Sequence, residues 1–144
     1  MSEDNTIDYY LKTSWQSVAN KYNQIAAGHG ITQATGLVLI NIRSEGATVS
    51  YIAAQLGVKT TSLSRMLNQM EGAGWIYRET DLQDKRAVRV FLTEEGFRKR
   101  LLAKDVVRDF NAYLDRHLST PERTRLIKLL KRLNKLALAY KPEV

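Results

Sequence analysis

The segment from Thr48 to Met70 contains two short apolar stripes separated by a glycine. The first stripe is Ile52, Ala53 and Leu56, and the second is Leu63, Met66, Leu67 and Met70. Such spacings are typical of amphipathic helices that bury one face. Gly57 directly follows the first stripe, where a left-handed residue commonly ends a helix, and we expect Val58 to fill the corner. The segment therefore predicts a helix-turn-helix, although a helical hairpin that serves only as a scaffold has the same periodicity.

A β-hairpin is predicted after the second helix. Residues Trp75–Tyr77 begin one strand, and Ala87–Leu92 form another, with Val88, Val90 and Leu92 alternating on one face. The charged residues of the intervening segment include Asp81, Asp84, Lys85 and Arg86. This segment is too long and polar for a two-residue turn and should project into solvent. A projecting basic tip beside a helix-turn-helix predicts a winged helix that contacts adjacent grooves of DNA, and an ordinary charged loop is the alternative.

The hairpin segment resembles the wing of the MarR family of bacterial transcription regulators, and its sequence is GWIYRETDLQDKRAVRVFLTEEG. The matching residues are Gly74, Trp75, Ile76, Arg78, Asp81, Asp84, Lys85, Arg86, Leu92 and Thr93. Trp75 departs from the pattern, because the family more often has an aliphatic residue there. The resemblance implies a mainly α fold with a small β-hairpin wing (α+β), in which N- and C-terminal helices flank a winged helix-turn-helix and form a dimer.

The rest of the sequence predicts four further helices. The first runs from about Thr6 to Ala27, and the second runs from a cap at Thr32 to near Gly46. A long helix follows a cap at Thr93, and the last helix follows a capping box that begins at Ser119.

The first and last helices carry apolar stripes that are too broad to be buried within so small a domain. We therefore expect residues 1–31 and 94–144 to form a homodimerisation region and residues 32–93 to form the winged helix-turn-helix DNA-binding domain. A monomeric helical bundle with leucine-rich ends is the alternative.

Composition restricts the chemistry open to the chain. The sequence has no cysteine, so it offers neither a thiolate metal site nor a cysteine redox switch. The net charge of +7 lies mostly after residue 93 and supports nucleic-acid binding only weakly.

His29 and His117 are better explained as a helix-end residue and a surface residue than as metal ligands, and no phosphate loop or nucleophile elbow is present. We expect no catalytic site, cofactor or metal. No signal peptide or membrane span is recognisable, so a cytoplasmic protein is expected.

The outward positions of the second helix of the helix-turn-helix are polar. They are Lys59, Thr60, Thr61, Ser62, Arg65, Asn68 and Gln69. The first three lie at the helix N-terminus, where unpaired N–H groups favour phosphate, so we expect them to contact the DNA backbone. Arg65 is the predicted base-reading residue, because an arginine can donate two hydrogen bonds to guanine in the major groove. We expect Ser62 or Gln69 to add shorter polar contacts.

In the wing, Arg86 is the strongest candidate for a DNA contact, because a guanidinium at a hairpin tip can enter a narrow minor groove. We expect Asp84 to brace Arg86 or the turn, since a carboxylate is repelled by phosphate. Lys85 and Arg89 are predicted to contact the flanking DNA backbone.

The family that this sequence resembles often binds small aromatic or phenolic molecules in a cleft beside the winged domain. The resemblance thus implies an aromatic effector, and Trp15, Tyr22 and Arg43 are candidates for an aromatic wall with a cation. Each of these residues would also suit a core or surface position.

The predicted function is a homodimeric regulator, expected to be a repressor, that binds double-stranded DNA at a pseudo-palindromic operator. One alternative is a non-specific architectural DNA-binding protein. The other is a winged-helix module that binds proteins.

Overall fold

The structure is a computed structural model that describes residues 5–143. Its helices are α1 (Ile7–Ala27), α2 (Gln33–Ile40), α3 (Val49–Leu56), α4 (Thr60–Gly72), α5 (Glu94–His117) and α6 (Thr120–Ala139). Its strands are β1 (Ala47–Thr48), β2 (Ile76–Thr80) and β3 (Val88–Leu92). The predicted mainly α fold with a small β component is confirmed. The chain divides into two compact units, one ending at Val107 and one beginning at Arg108.

Four helices begin at a capping hydroxyl, and the sequence indicates three of these caps. The caps are Thr32, Thr48, Thr93 and Ser119, and each hydroxyl accepts a hydrogen bond from the backbone N–H of the residue three positions later. These bonds satisfy N–H groups that a helix leaves unpaired at its start. The predicted starts of α2, α5 and α6 are therefore confirmed.

Helix α2 is shorter than predicted. It ends at Ile40 rather than near Gly46, because Asn41 leaves the helical conformation and its Nδ2 donates a hydrogen bond of 2.8 Å to the carbonyl of Leu37. Asn41 thus ends α2, although the apolar pattern of the sequence continues beyond it. Ile42 is fully buried although it lies outside the helix, so its position in the apolar stripe does not indicate helix.

The turn between α3 and α4 is closed by backbone hydrogen bonds. Gly57 has φ of 68°, which lies in the left-handed region that glycine adopts most easily. Its N–H donates to Ala54, and the N–H of Val58 donates to Ala53, which is the paired arrangement that frequently ends helices. The expectation that Val58 fills the corner is wrong. Its side chain is 42% exposed, while Leu56 packs against the core instead.

The three strands form an antiparallel sheet in the order β1-β3-β2. The hairpin strands begin at Ile76 and Val88, each one residue later than predicted. Val90 and Leu92 are buried as expected, but Val88 is 41% exposed. Strand β1 has only two residues and pairs with β3 at Arg89 and Val90, so the sheet has three strands only at these two positions of β3.

One hydrophobic core joins α2, α3, α4 and the sheet. Its largest fully buried side chains are Val38, Leu39, Ile42, Ile52, Leu63, Leu67, Met70, Ile76 and Val90. Burial of such side chains contributes on the order of 1.5–3 kcal/mol each. The inward stripes predicted for α3 and α4 are therefore confirmed, and the helix-turn-helix and the hairpin share one core.

Helices α1 and α6 bury few side chains. Among the described residues, Ala26 is the only buried residue of α1, and α6 has none. Between residues 5 and 143, no helix is both long enough and apolar enough to cross a membrane.

Candidate nucleic-acid interface

Helix α4 separates its apolar and polar residues cleanly. Leu63, Leu67 and Met70 are buried against the core. The predicted DNA-contacting residues Lys59, Thr60, Thr61, Ser62, Arg65, Asn68 and Gln69 are all exposed. Lys59 occupies the N-cap position and its side chain makes no capping hydrogen bond. The start of α4 thus presents backbone N–H groups and hydroxyls to solvent, which is a favourable arrangement for an anion.

The wing consists of β2, β3 and the loop formed by residues 81–87, and hydrogen bonds brace this loop. The N–H of Asp81 donates to the carbonyl of Ala87, and the N–H of Ala87 donates to the carbonyl of Asp84, both at 3.0 Å. The Asp84 carboxylate accepts a further bond of 3.0 Å from the N–H of Arg86. Lys85 and Arg86 are exposed. The side chain of Arg86 therefore extends from a fixed backbone.

Arg86 and α4 border the same cleft of about 550 Å³. From α4 its lining includes Ser64 and the buried Leu67, and from the wing it includes Arg78, Thr80 and Arg86. The cleft therefore brings together the two elements that the sequence proposes for DNA contact.

Arg89 occupies a different position from the one predicted. Its Nε donates to Asp81 Oδ1 at 3.1 Å, and its Nη1 donates to the carbonyls of Glu45 and Gly46 at 3.4 and 3.3 Å. The structure thus places this guanidinium at the base of the wing, where it joins β3 to the loop before β1, rather than leaving it directed at a phosphate. The hydrogen bond from Arg89 lowers the pKa of the Asp81 carboxyl below its usual value.

Asn68 also has a partner that the sequence does not indicate. Its Oδ1 accepts a hydrogen bond of 2.6 Å from Arg78 Nη2, and Arg78 Nε donates to Glu71 Oε2 at 2.6 Å. The Asn68 amide is therefore held by the wing strand, which differs from its expected availability to DNA. Arg78 belongs to the family pattern, but helical periodicity in α4 gives no sign of this contact.

A second cavity, of about 220 Å³, lies among α1, α2 and the first part of α5. Trp15 and Tyr22 line it, together with Ala26, Ile31, Thr32, Gln33, Gly36, Leu37, Ile40, Ala103, Val106 and Val107. Arg43 does not line this cavity but a separate one beside Tyr51 and Arg89. The predicted grouping of two aromatic residues with this cation is therefore wrong, because α2 ends before Arg43 and the chain turns toward β1. Among the described residues, the lining of this cavity contains no charged side chain.

The described part of the chain contains no candidate metal site. Nowhere in residues 5–143 do three or more His, Cys, Asp or Glu side chains gather in a manner that could hold an ion.

Comparison with known proteins identifies relatives of this arrangement. The model of the MarR family matches residues 31–88. The chain is 30% identical over 97 residues to the organic hydroperoxide resistance transcriptional regulator of Bacillus subtilis strain 168, covering 67% of this chain and 66% of that protein. It is 28% identical over 96 residues to the HTH-type transcriptional regulator TtmR of Methylorubrum extorquens strain PA1, covering 66% of this chain. The match spans 49% of TtmR, about half of its length.

A solved structure extends the similarity to nearly the whole chain. The crystal structure of a mutant MarR from E. coli in complex with operator DNA superimposes with a TM-score of 0.81 and 28% identity. The match covers 92% of this chain and 99% of that chain.

Replacing Asp81 with Asn should destabilise the protein in a pH-dependent manner. Because the folded-state pKa of Asp81 lies below its usual 3.8, the ion pair with Arg89 stabilises the fold above about pH 3.8. This stabilisation is lost as the pH falls through the lowered pKa and the folded carboxylate takes up a proton. The melting temperature of Asp81→Asn should therefore be below that of the wild type at neutral pH, and the two should converge in acid.

The matched control is Glu94→Gln, which removes one of two carboxylates that pair with Arg98 on an exposed surface. It should change the melting temperature little at any pH. If the melting temperature of Asp81→Asn lies below that of the wild type by the same amount at neutral and acidic pH, the assigned ion pair is contradicted.

Proposed function

Because the chain belongs to the MarR family of winged-helix transcriptional regulators, we propose that it binds double-stranded DNA in a sequence-specific manner and regulates transcription. The observation that carries this proposal is that α4 exposes its polar face to solvent while the exposed wing residue Arg86 borders the same cleft as α4. Both elements pack on one core, so a single docking event can bring both to the duplex.

The proposed contacts of α4 follow from its exposed face. Lys59, Thr60 and Thr61 bind phosphate at the helix N-terminus, and Arg65 reads a base edge in the major groove. A bidentate arginine–guanine pair contributes about 1–3 kcal/mol of discrimination. Ser62 and Gln69 add shorter contacts on the same exposed face.

In the proposed complex Arg86 enters the adjacent minor groove while Lys85 contacts its flanking phosphates. Asp84 supports this geometry from within the loop, since its carboxylate accepts from the backbone of Arg86. A fixed loop backbone reduces the conformational entropy that the arginine loses on binding.

We propose that the protein acts as a homodimer through residues 1–31 and 94–144, with residues 32–93 as the DNA-binding domain. Large apolar side chains support this assignment, since Ile7 and Trp15 on α1 are 70% and 54% exposed and Leu136 on α6 is 58% exposed. A two-fold dimer would remove such side chains from water. It would also place two copies of α4 about 10 base pairs apart, on a pseudo-palindromic operator. Occupation of a promoter would then repress transcription. The proposal involves no catalysis, metal or cofactor, and it places the protein in the cytoplasm with the chromosome.

Arg86→Ala should reduce affinity for a duplex selected from a random DNA pool by about tenfold or more, because a charge-assisted hydrogen bond contributes roughly 1.5–3 kcal/mol. Fluorescence anisotropy at fixed salt measures the affinity. The control is Arg98→Ala, which removes the same charge from the exposed surface of α5. Both variants should melt close to the wild-type temperature.

Three outcomes would oppose the proposal. Equal losses for Arg86→Ala and Arg98→Ala would indicate an effect of total charge. Equal affinity for selected and random DNA would indicate an architectural protein, since specific binding exceeds non-specific binding by about a thousandfold or more. A lack of salt-dependent DNA affinity would indicate a protein-docking module.

We further propose that the cavity beside Trp15 and Tyr22 binds a small aromatic effector that weakens DNA binding. Its size supports a single-ring ligand, because an apolar cavity of about 150 Å³ can hold benzene. With no charged residue in the lining, burial of a carboxylate would be costly. The buried part of the effector should therefore be neutral, and it acts by binding the DNA-competent and DNA-incompetent states with different affinities.

Phenol should quench tryptophan fluorescence in a saturable manner and should lower the affinity of the protein for its operator. Benzoate should produce both effects much more weakly. Gly36→Leu should abolish the phenol response. A Cβ added at Gly36 would lie 3.5 Å from Ala103 Cβ, and a longer side chain would fill the cavity. Gly36→Ala is the milder control, which should keep the fold and part of the response. Tighter binding of benzoate than of phenol, or an unchanged response in Gly36→Leu with retained operator binding, would contradict the proposal.

A further inference from the structure

Arg78 connects the recognition helix to the wing. It lies in the middle of β2, opposite Val90 of β3, and its guanidinium reaches the last turns of α4. There Nε donates to Glu71 Oε2 and Nη2 donates to Asn68 Oδ1, both at 2.6 Å. We call Arg78, Asn68 and Glu71 the α4–wing bridge.

The geometry of this bridge restricts movement of α4 relative to β2. Asn68 and Glu71 are three positions apart and therefore adjacent on the helix surface. The guanidinium is planar, and its N–H groups point in fixed directions, so two simultaneous hydrogen bonds to two helix residues define an orientation as well as a distance. Strand β2 continues directly into the loop that contains Arg86.

We infer that Arg78 is a positioning residue, which sets the angle between α4 and the wing so that both can contact DNA at once. This inference rests on the proposed function. Two linked contacts bind tightly only when their spacing matches the ligand, and a fixed spacing lowers the entropy lost on binding. The bridge supplies that fixed spacing through hydrogen bonds within the protein.

The bridge also changes the role of Asn68. A bidentate contact with adenine requires the amide oxygen as acceptor and the amide nitrogen as donor. In this structure the oxygen already accepts from Arg78, so the bridge sets the orientation of the Asn68 amide.

Glu71 provides the sharpest test, because positioning and electrostatics predict opposite signs. Removing a carboxylate near DNA should raise affinity if only charge matters. If the bridge positions α4, Glu71→Gln should instead lower operator affinity by about fivefold, the range expected for a partly exposed ion pair. The side chains of Arg78 and Glu71 are 29% and 43% exposed, so solvent screens the pair only in part.

The matched control is Glu79→Gln, which removes an exposed carboxylate from the strand residue next to Arg78. This variant should bind the operator as tightly as the wild type or more tightly. A second variant, Arg78→Lys, keeps the charge but cannot make both bonds in the same geometry. It should lower affinity while leaving the slope of log affinity against log salt unchanged, because no phosphate contact is lost.

Hydrogen exchange of the free protein provides a readout that does not depend on DNA. Glu71→Gln should accelerate exchange of the β2 and β3 amides relative to Glu79→Gln, with similar melting temperatures for the two variants.

The outcomes separate the inference from the proposed function. Wild-type protein without salt-dependent DNA affinity would overturn the proposed function and the inference that rests on it. Specific wild-type binding together with unchanged or increased affinity in Glu71→Gln would overturn the inference alone. Wild-type affinity in Arg78→Lys would also overturn it, since a simple cation would then suffice.

Discussion

The pairing of β3 with both β1 and β2 is the constraint on which the arrangement of this domain depends. Strand β1 has only two residues, yet it runs directly into α3 and its Ala47 pairs with Val90. The wing is thereby hydrogen-bonded to the start of the helix-turn-helix. Val90 is fully buried in the core that also contains Leu63 and Leu67 of α4. If the wing moved as a unit, the backbone hydrogen bonds between β1 and β3 would break, and apolar surface around Val90 would become exposed at the same time.

Close packing around the base of the wing reinforces this constraint. Gly46 has φ of 81°, and a Cβ at this position would lie 2.7 Å from the Phe91 ring. Only glycine satisfies both conditions without displacement of the Phe91 ring. Arg89 adds hydrogen bonds to the carbonyls of Glu45 and Gly46, so side-chain and backbone contacts fix the same corner. The α4–wing bridge adds hydrogen bonds between the wing and its other neighbour, helix α4.

The sequence predicts those features that depend on residues close to one another in the chain. Apolar spacing identifies the inward faces of α3 and α4, and Thr32 and Ser119 mark helix starts through local hydrogen bonds. The end of α2 is missed because the Asn41 cap interrupts an apolar run that continues into the core.

Side-chain pairings between elements are not predictable in this way. Asn68 and Arg78 lie on a helix and a strand, and Asp81 and Arg89 lie on either side of a loop, so neither pair follows from periodicity. The sequence pattern therefore makes Asn68 and Arg89 look available to DNA, because it does not show the partners that they have within the protein. The grouping of Arg43 with Trp15 and Tyr22 fails for a related reason, since it depends on where α2 ends.

The central claim is that α4 and the wing engage adjacent grooves of DNA as one unit. Footprinting of the wild-type protein on a selected operator tests it most directly, with dimethyl sulfate reporting guanines in the major groove and hydroxyl radicals reporting the minor groove. Each half-site should show both protections side by side, and the pattern should repeat with two-fold symmetry after about 10 base pairs. Major-groove protection without protection of the neighbouring minor groove, or a single asymmetric stretch, would contradict the account.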